Sequence, residues 1–229
     1  MTNSSDTSPH LDGSWRRLLS GSGTVLLIKV LGALGGFLFS LLVARRFGDA
    51  ALGRAELFVL AITVGATLMR GGLEGAVVKL FGAWSAAGEH GRIARRFLEW
   101  TRPLSVVALA VAVILWWTPE FKWGVTFDLW LGLAIGSWIL IGWAGEALRG
   151  TGRVGWYALL QPGWWMLMGG ILIVLFGWAP EKVLAVTSVL LAVFGMASAV
   201  ILFRRSAASD QSSPATAKAR SVLRQLAAP

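Results

Sequence analysis

Three charged side chains, Lys29, Arg70 and Glu74, lie inside stretches that are mostly apolar over about the length of a bilayer crossing. Charge in hydrocarbon is costly; where it persists it is paired, faces a water-filled cavity or snorkels to a headgroup. Arg70 and Glu74 are four residues apart, which places them on one helix face as an ion pair. Lys29 lies about seven residues into its own stretch, roughly 10 Å deep at 1.5 Å per residue. Arg70 falls at a comparable depth if the next stretch runs back the other way, with Glu74 one turn shallower. Two readings are open. In one, the charges snorkel and neutralise each other locally. In the other, Lys29 and Arg70 form a basic patch on a cytoplasm-open cavity that attracts a phosphate or pyrophosphate. Glu74 would then orient that group or exchange a proton. Gln161, just before Pro162, is a further candidate for the same cavity by position alone. Glu146 and Arg149, three residues apart, read as a surface ion pair.

Other chemistry finds no support. The chain has no Walker A loop, no HExxH and no G-x-S-x-G. It has no cysteine, and its two histidines, His10 and His90, fall in polar segments, so metal-ligand spacing is lacking. The sequence therefore reads as a protein that is not an enzyme and needs no cofactor.

The elements that must position these charges are membrane helices. Of 229 residues, 55% are hydrophobic and only 14% charged, with a mean hydropathy of +0.66. Soluble domains carry about 25% charged residues. Six apolar spans are expected at 22–44, 55–80, 103–118, 127–148, 155–178 and 181–203, between a polar tail at 1–21 and a linker or tail at 204–229. This is an all-α integral membrane protein with a six-helix transmembrane bundle. The first span is too long for the apolar core of a cleaved signal peptide and is expected to be retained.

Thirteen of the 21 Lys and Arg residues fall on one side of these spans and five on the other. The positive-inside rule then makes both termini cytoplasmic, in a cell inner (plasma) membrane. The net charge of +9 is explained by these flanks, so no nucleic-acid partner is inferred. Trp116, Trp117, Trp123, Trp130 and Trp178 bracket the outer turns, and Trp84, Trp100 and Trp156 the cytoplasmic boundary, as interfacial anchors. Trp138, Trp143, Trp164 and Trp165 fall deeper, as packing residues or as stacking surfaces for a sugar or lipid. Gly32 with Gly36, and Gly132 with Gly136, make GxxxG pairs that favour close helix contact. Pro162 is expected to kink span five. The segment SVLRQLAAP at the C-terminus is expected to form a short interfacial helix.

Span one and its outer turn, GTVLLIKVLGALGGFLFSLLVARRFGDAALGRAELF, resemble the opening of lipid-linked oligosaccharide flippases of the O-antigen and polysaccharide-export type. These belong to the multidrug/oligosaccharidyl-lipid/polysaccharide (MOP) exporter superfamily. The resemblance rests on Ala44-Arg45-Arg46-Phe47-Gly48 followed by Gly53, on Gly72-Leu73-Glu74 with Val77 and Val78, and on Leu148-Arg149-Gly150 leading to Gln161. It covers about residues 20 to 205. What it implies is a two-lobed bundle around a central cavity. Such a protein flips an undecaprenyl-pyrophosphate-linked oligosaccharide to the outer leaflet by alternating access, with ion coupling in some members. Basic cavity residues of the family attract the pyrophosphate, a role that Lys29 and Arg70 match by position. The family carries about twelve to fourteen spans, so six are expected to be the N-terminal lobe alone. A partner chain or a homodimer would complete the cavity, or the chain is a fragment, the reading its final segment favours. The rivals are a lobe of a multidrug/toxin extruder and a non-transporting membrane scaffold of a polysaccharide-assembly complex.

Overall fold

The computed structural model describes residues 11–117 and 125–212. Every element among them is an α-helix: α1 (Leu11–Phe47), α2 (Asp49–Arg70), α3 (Leu73–Ala86), α4 (His90–Trp117), α5 (Val125–Gly150), α6 (Val154–Leu159), α7 (Pro162–Phe176) and α8 (Pro180–Ser212). Five carry apolar spans of 22 to 30 residues: Val25–Phe47, Asp49–Arg70, His90–Leu115, Phe127–Gly150 and Pro180–Ser209. Each exceeds the roughly 20 residues that a helix needs to cross a bilayer. Their outward faces expose Leu26, Phe37, Leu60, Val106, Leu109 and Val193. Water would not tolerate so much exposed apolar surface, whereas lipid matches it. The fold is that of an all-α, multi-pass membrane protein.

Two of the expected spans are not single helices. The stretch expected at 55–80 breaks after Arg70, where Gly71 (φ 54°) and Gly72 (φ 78°) both adopt the left-handed conformation. A side chain there would crowd its own carbonyl, so the Gly-Gly pair is what lets the chain turn at this depth. Beyond the break, α3 follows the same flank of α5, from the level of Glu146 to Gly150, where Val78 and Phe81 lie against the Gly150 backbone. The stretch expected at 155–178 also divides. Helix α6 ends at Leu159, Gln161 is extended, and Pro162 opens α7. Proline is well suited to a first helical turn because its missing N–H would have no partner there anyway. Pro162 therefore starts a helix instead of kinking one. At 15 residues, α7 is shorter than a full crossing.

Ties at both ends fix the direction of this broken pair. Arg153, beside the start of α6, donates to the Leu202 carbonyl (3.2 Å) and to Ser206 Oγ near the end of α8. Arg46, at the end of α1, donates to the Ile173 carbonyl near the end of α7 (3.1 Å). The start of α8 is bridged to α2 through Glu181 and Arg54 (3.5 Å). Helices α6 and α7 together thus run back along α8.

Helix α5 is the centre of the bundle and packs against α2, α3, α4, α6 and α8. Glycine makes the closest contacts possible: Gly132 and Gly136 face the backbone of Ala112 and Ala108 on α4, and Gly32 faces that of Gly163 on α7. Both GxxxG pairs are packed as close-contact faces, since Gly36 sits on Met166. Two of the deeper tryptophans are packing residues. Trp143 stacks on Phe97 at 5.6 Å and donates to Thr101 Oγ1 at 3.0 Å, while buried Trp165 donates to the Leu184 carbonyl at 2.7 Å. The helix boundaries differ from the expected tails as well. Helix α1 begins at Leu11 and α8 extends to Ser212. Trp123 and the C-terminal SVLRQLAAP lie outside the described residues.

Candidate functional site: a charged chamber between broken helices

The two helix breaks lie against the same face of α5. Between them is a chamber of about 190 Å³, lined by Arg70 and Glu74, by Trp138, Gly142 and Glu146 of α5, and by Tyr157, Gln161 and Pro162. Thr63 adds a hydroxyl to its wall, and Ala66, Ile141 and Leu160 give it an apolar part. Broken helices belong at such a site, because backbone groups freed at membrane depth need a cavity or protein partners.

Arg70 is the best-fixed group. Its Nη1 pairs with Glu74 Oε1 at 2.9 Å, its Nε donates to the Ala66 carbonyl at 3.2 Å, and Nη2 donates to Thr67 Oγ1 at 3.4 Å. The guanidinium rests directly over Gly142, where a Cβ would overlap it. The missing side chain of Gly142 is therefore the seat of Arg70. The arginine side chain is only 16% exposed, whereas its partner Glu74 is 40% exposed. The i, i+4 pairing survives although the helix between the two residues does not.

Glu146 is not a surface group. It is 7% exposed, lines the chamber, and pairs with the outward Arg149 at 3.4 Å. A carboxylate this deep needs that partner, since desolvation without one is severe. The chamber's own walls thus present one cation and two carboxylates, and they are not a basic patch. Trp138 contributes a buried indole N–H that donates to none of the described groups.

The structure brings together Arg70, Glu74 and Gln161 of the residues singled out by sequence, and places Lys29 elsewhere. Lys29 is exposed on α1 and forms no ion pair with a described residue. It shares an α1 face with Ser40, eleven residues on, whose Oγ donates to Glu56 Oε1 at 3.0 Å. Glu56, Thr63, Thr67 and Arg70 recur on one face of α2. Exposed polar side chains therefore recur on this face of α2 at Glu56, Thr63 and Thr67, with exposed Leu60 among them, and lead to the largely buried Arg70. Glu56 lies at the margin of the apolar stretch 55–80, where a carboxylate carries no signal in sequence alone. Gly142 and Tyr157 carry no signal in sequence alone, and Trp138 reads only as a deep packing or stacking residue, because only the packing of α5 against α2 and α6 brings the three to the chamber. The signal for Glu146 was present: Trp138, Gly142 and Glu146 repeat every four residues on one face.

A concavity of about 440 Å³ between α1 and α7 is apolar apart from Arg45 and shares no lining residue with the charged chamber. Among the described residues no group of three or more His, Cys, Asp and Glu side chains forms a metal site. The fold and site define the class: a multi-pass helical membrane protein with an ion-paired chamber inside its bundle. Comparison of the chain with protein-family models, curated proteins and solved structures gave no match.

Proposed function

We propose that this chain is one lobe of a transporter that moves an undecaprenyl-pyrophosphate-linked oligosaccharide from the inner to the outer leaflet. The observation that carries the reading is Arg70: a guanidinium seated at membrane depth on Gly142, with a half-exposed carboxylate as its exchangeable counter-ion. A phosphate oxygen can take the place of Glu74 on Arg70 through a charge-assisted hydrogen bond of the same length class. The exposed Thr67, Thr63 and Glu56, leading away from Arg70, with Lys29 on the neighbouring helix, supply a polar lane for the glycan. A second lobe, from the remainder of a longer chain, from another polypeptide or from a second copy of this one, covers that lane.

Expression of Arg70→Ala and Lys29→Ala in a strain that lacks its own flippase tests the reading. Glycan export should be lost in both while insertion into the membrane is retained; normal export in both would sink it. Restored export by the unsubstituted chain excludes a pure scaffold. A second reading is favoured by the two chamber carboxylates, Glu74 and Glu146, which suit a cation-coupled extrusion lobe. Glu74→Gln separates the two. It frees Arg70 and should strengthen retention of a lipid phosphate in a flippase, whereas it should abolish efflux of a cationic drug in an extruder.

A further inference from the structure

The charged chamber and an apolar groove on the other side of α3 are separated by a thin wall of side chains. The void of about 10 Å³ within that wall is lined by Arg70, Glu74, Gly142 and Glu146 on the chamber side and by Leu73, Val77, Leu104 and Trp143 on the other. Those four apolar residues also line a groove of about 300 Å³ between α3 and α4, together with Leu80, Trp100, Pro103 and Val107. The outer lip of the groove is open, because Leu73, Leu80 and Val107 are all exposed on the bundle surface. Its floor is rigid: Trp143 is buried, stacked on Phe97 and hydrogen-bonded to Thr101. Pro103 sits within α4, where its ring forms part of the wall. A guanidinium therefore lies on one side of this wall and a hydrocarbon-lined furrow facing lipid on the other.

We infer that the α3–α4 groove holds the hydrocarbon chain of the lipid whose phosphate engages Arg70. The inference rests on the flippase reading for the identity of the head and adds the route by which the chain is held. A charged head beside an apolar furrow is complementary to a single ligand chemistry, an amphiphile with an anionic phosphate and a long isoprenyl or acyl tail. The lipid moves in sideways between α3 and α4 with its tail in the furrow, and Glu74 swings off Arg70 as the phosphate arrives. The chain need never leave an apolar environment, so only the head is transferred between solvents.

The test uses the full chain in phosphatidylcholine nanodiscs, with undecaprenyl phosphate as the probe and phosphatidylglycerol as competitor, and bound lipid counted by native mass spectrometry. Val107→Trp and Leu80→Trp fill the groove from its exposed lip. Each should lower retained undecaprenyl phosphate by about tenfold, and Val106→Trp, one residue away on the open lipid face, should leave it unchanged. Groove variants that retain the probe like the unsubstituted chain, while Arg70→Gln loses it, overturn the groove and leave the head reading standing. Loss in the groove variants with full retention in Arg70→Gln supports the groove and removes the head reading. No preference for the probe over phosphatidylglycerol in the unsubstituted chain overturns both. Photolabelling of that same chain by a diazirine-bearing isoprenoid phosphate needs no substitution. Labels on α3 and α4 between Leu73 and Val107 support the assignment, and labels confined to the α1–α7 concavity overturn it.

Discussion

At the scale of single residues, the site depends on an atom that is missing. Gly142 leaves room for the Arg70 guanidinium, and a methyl group there would overlap it. Gly142→Ala should therefore reproduce the loss of lipid-phosphate binding expected of Arg70→Gln, with the protein still inserted. Gly75→Ala, where a Cβ meets nothing within 4 Å, is the matched control and should bind normally. Equal binding by Gly142→Ala and the control would show that Arg70 needs no seat. Trp165 makes a different kind of prediction. Its indole N–H donates to the Leu184 carbonyl, which also accepts from Thr187 and Ser188 hydroxyls. Trp165→Phe removes one donor without orphaning that carbonyl, so the cost should be about 1 kcal/mol, near the low end for a buried hydrogen bond. Denaturant titration in mixed micelles measures it.

At the scale of elements, the breaks in the second and fifth stretches do the positioning. Gly71 and Gly72 hold left-handed backbone that costs an L-residue about 1–2 kcal/mol each. Gly71→Ala and Gly72→Ala should each lower the thermal midpoint in detergent, and the double variant should lower it further. Midpoints at the wild-type value would mean that α2 and α3 tolerate a different junction. Close helix contact is as strict between α1 and α7, where a Cβ on Gly163 would overlap the Gly32 backbone. Gly163→Val should push the two helices apart and destabilise the bundle by more than either left-handed substitution. Overpacking of this kind costs typically 1–3 kcal/mol even before backbone clash is counted. Thermal unfolding of the same preparations ranks the three.

For the whole molecule, the informative surface is the one that is polar where lipid is expected. Glu56, Thr63 and Thr67 are exposed along one face of α2, while Val106 and Leu109 are exposed on α4. Hydrocarbon suits the second face and not the first. The chain has no cysteine of its own, so single cysteines report cleanly. Thr67→Cys and Thr63→Cys should react with a membrane-impermeant maleimide in inverted or right-side-out vesicles, and Leu109→Cys should not. Equal protection of all three would place the stripe against lipid or a tightly packed partner and remove the aqueous lane.

Much of this architecture was legible in the chain itself. Mean hydropathy, the low charge content and spans of sufficient length determine an all-α membrane protein, because the bilayer leaves the backbone little choice but to satisfy its hydrogen bonds within helices. Arg70 and Glu74 could be paired from spacing alone, and the small-residue faces could be picked out as contacts. Other features are decided only by packing. Sequence periodicity does not distinguish a Gly-Gly pair tolerated within a helix from one that ends it, and Pro162 reads equally as a kink or as a first turn. Which charges meet is likewise a matter of how α5 lies between α2, α3 and α6. That arrangement brings Glu146 and Gln161 to Arg70, leaves Lys29 on an open face, and sets the chamber beside the α3–α4 groove. Local chemistry fixes what each residue can do; the crossing of helices far apart in sequence fixes which of them do it together.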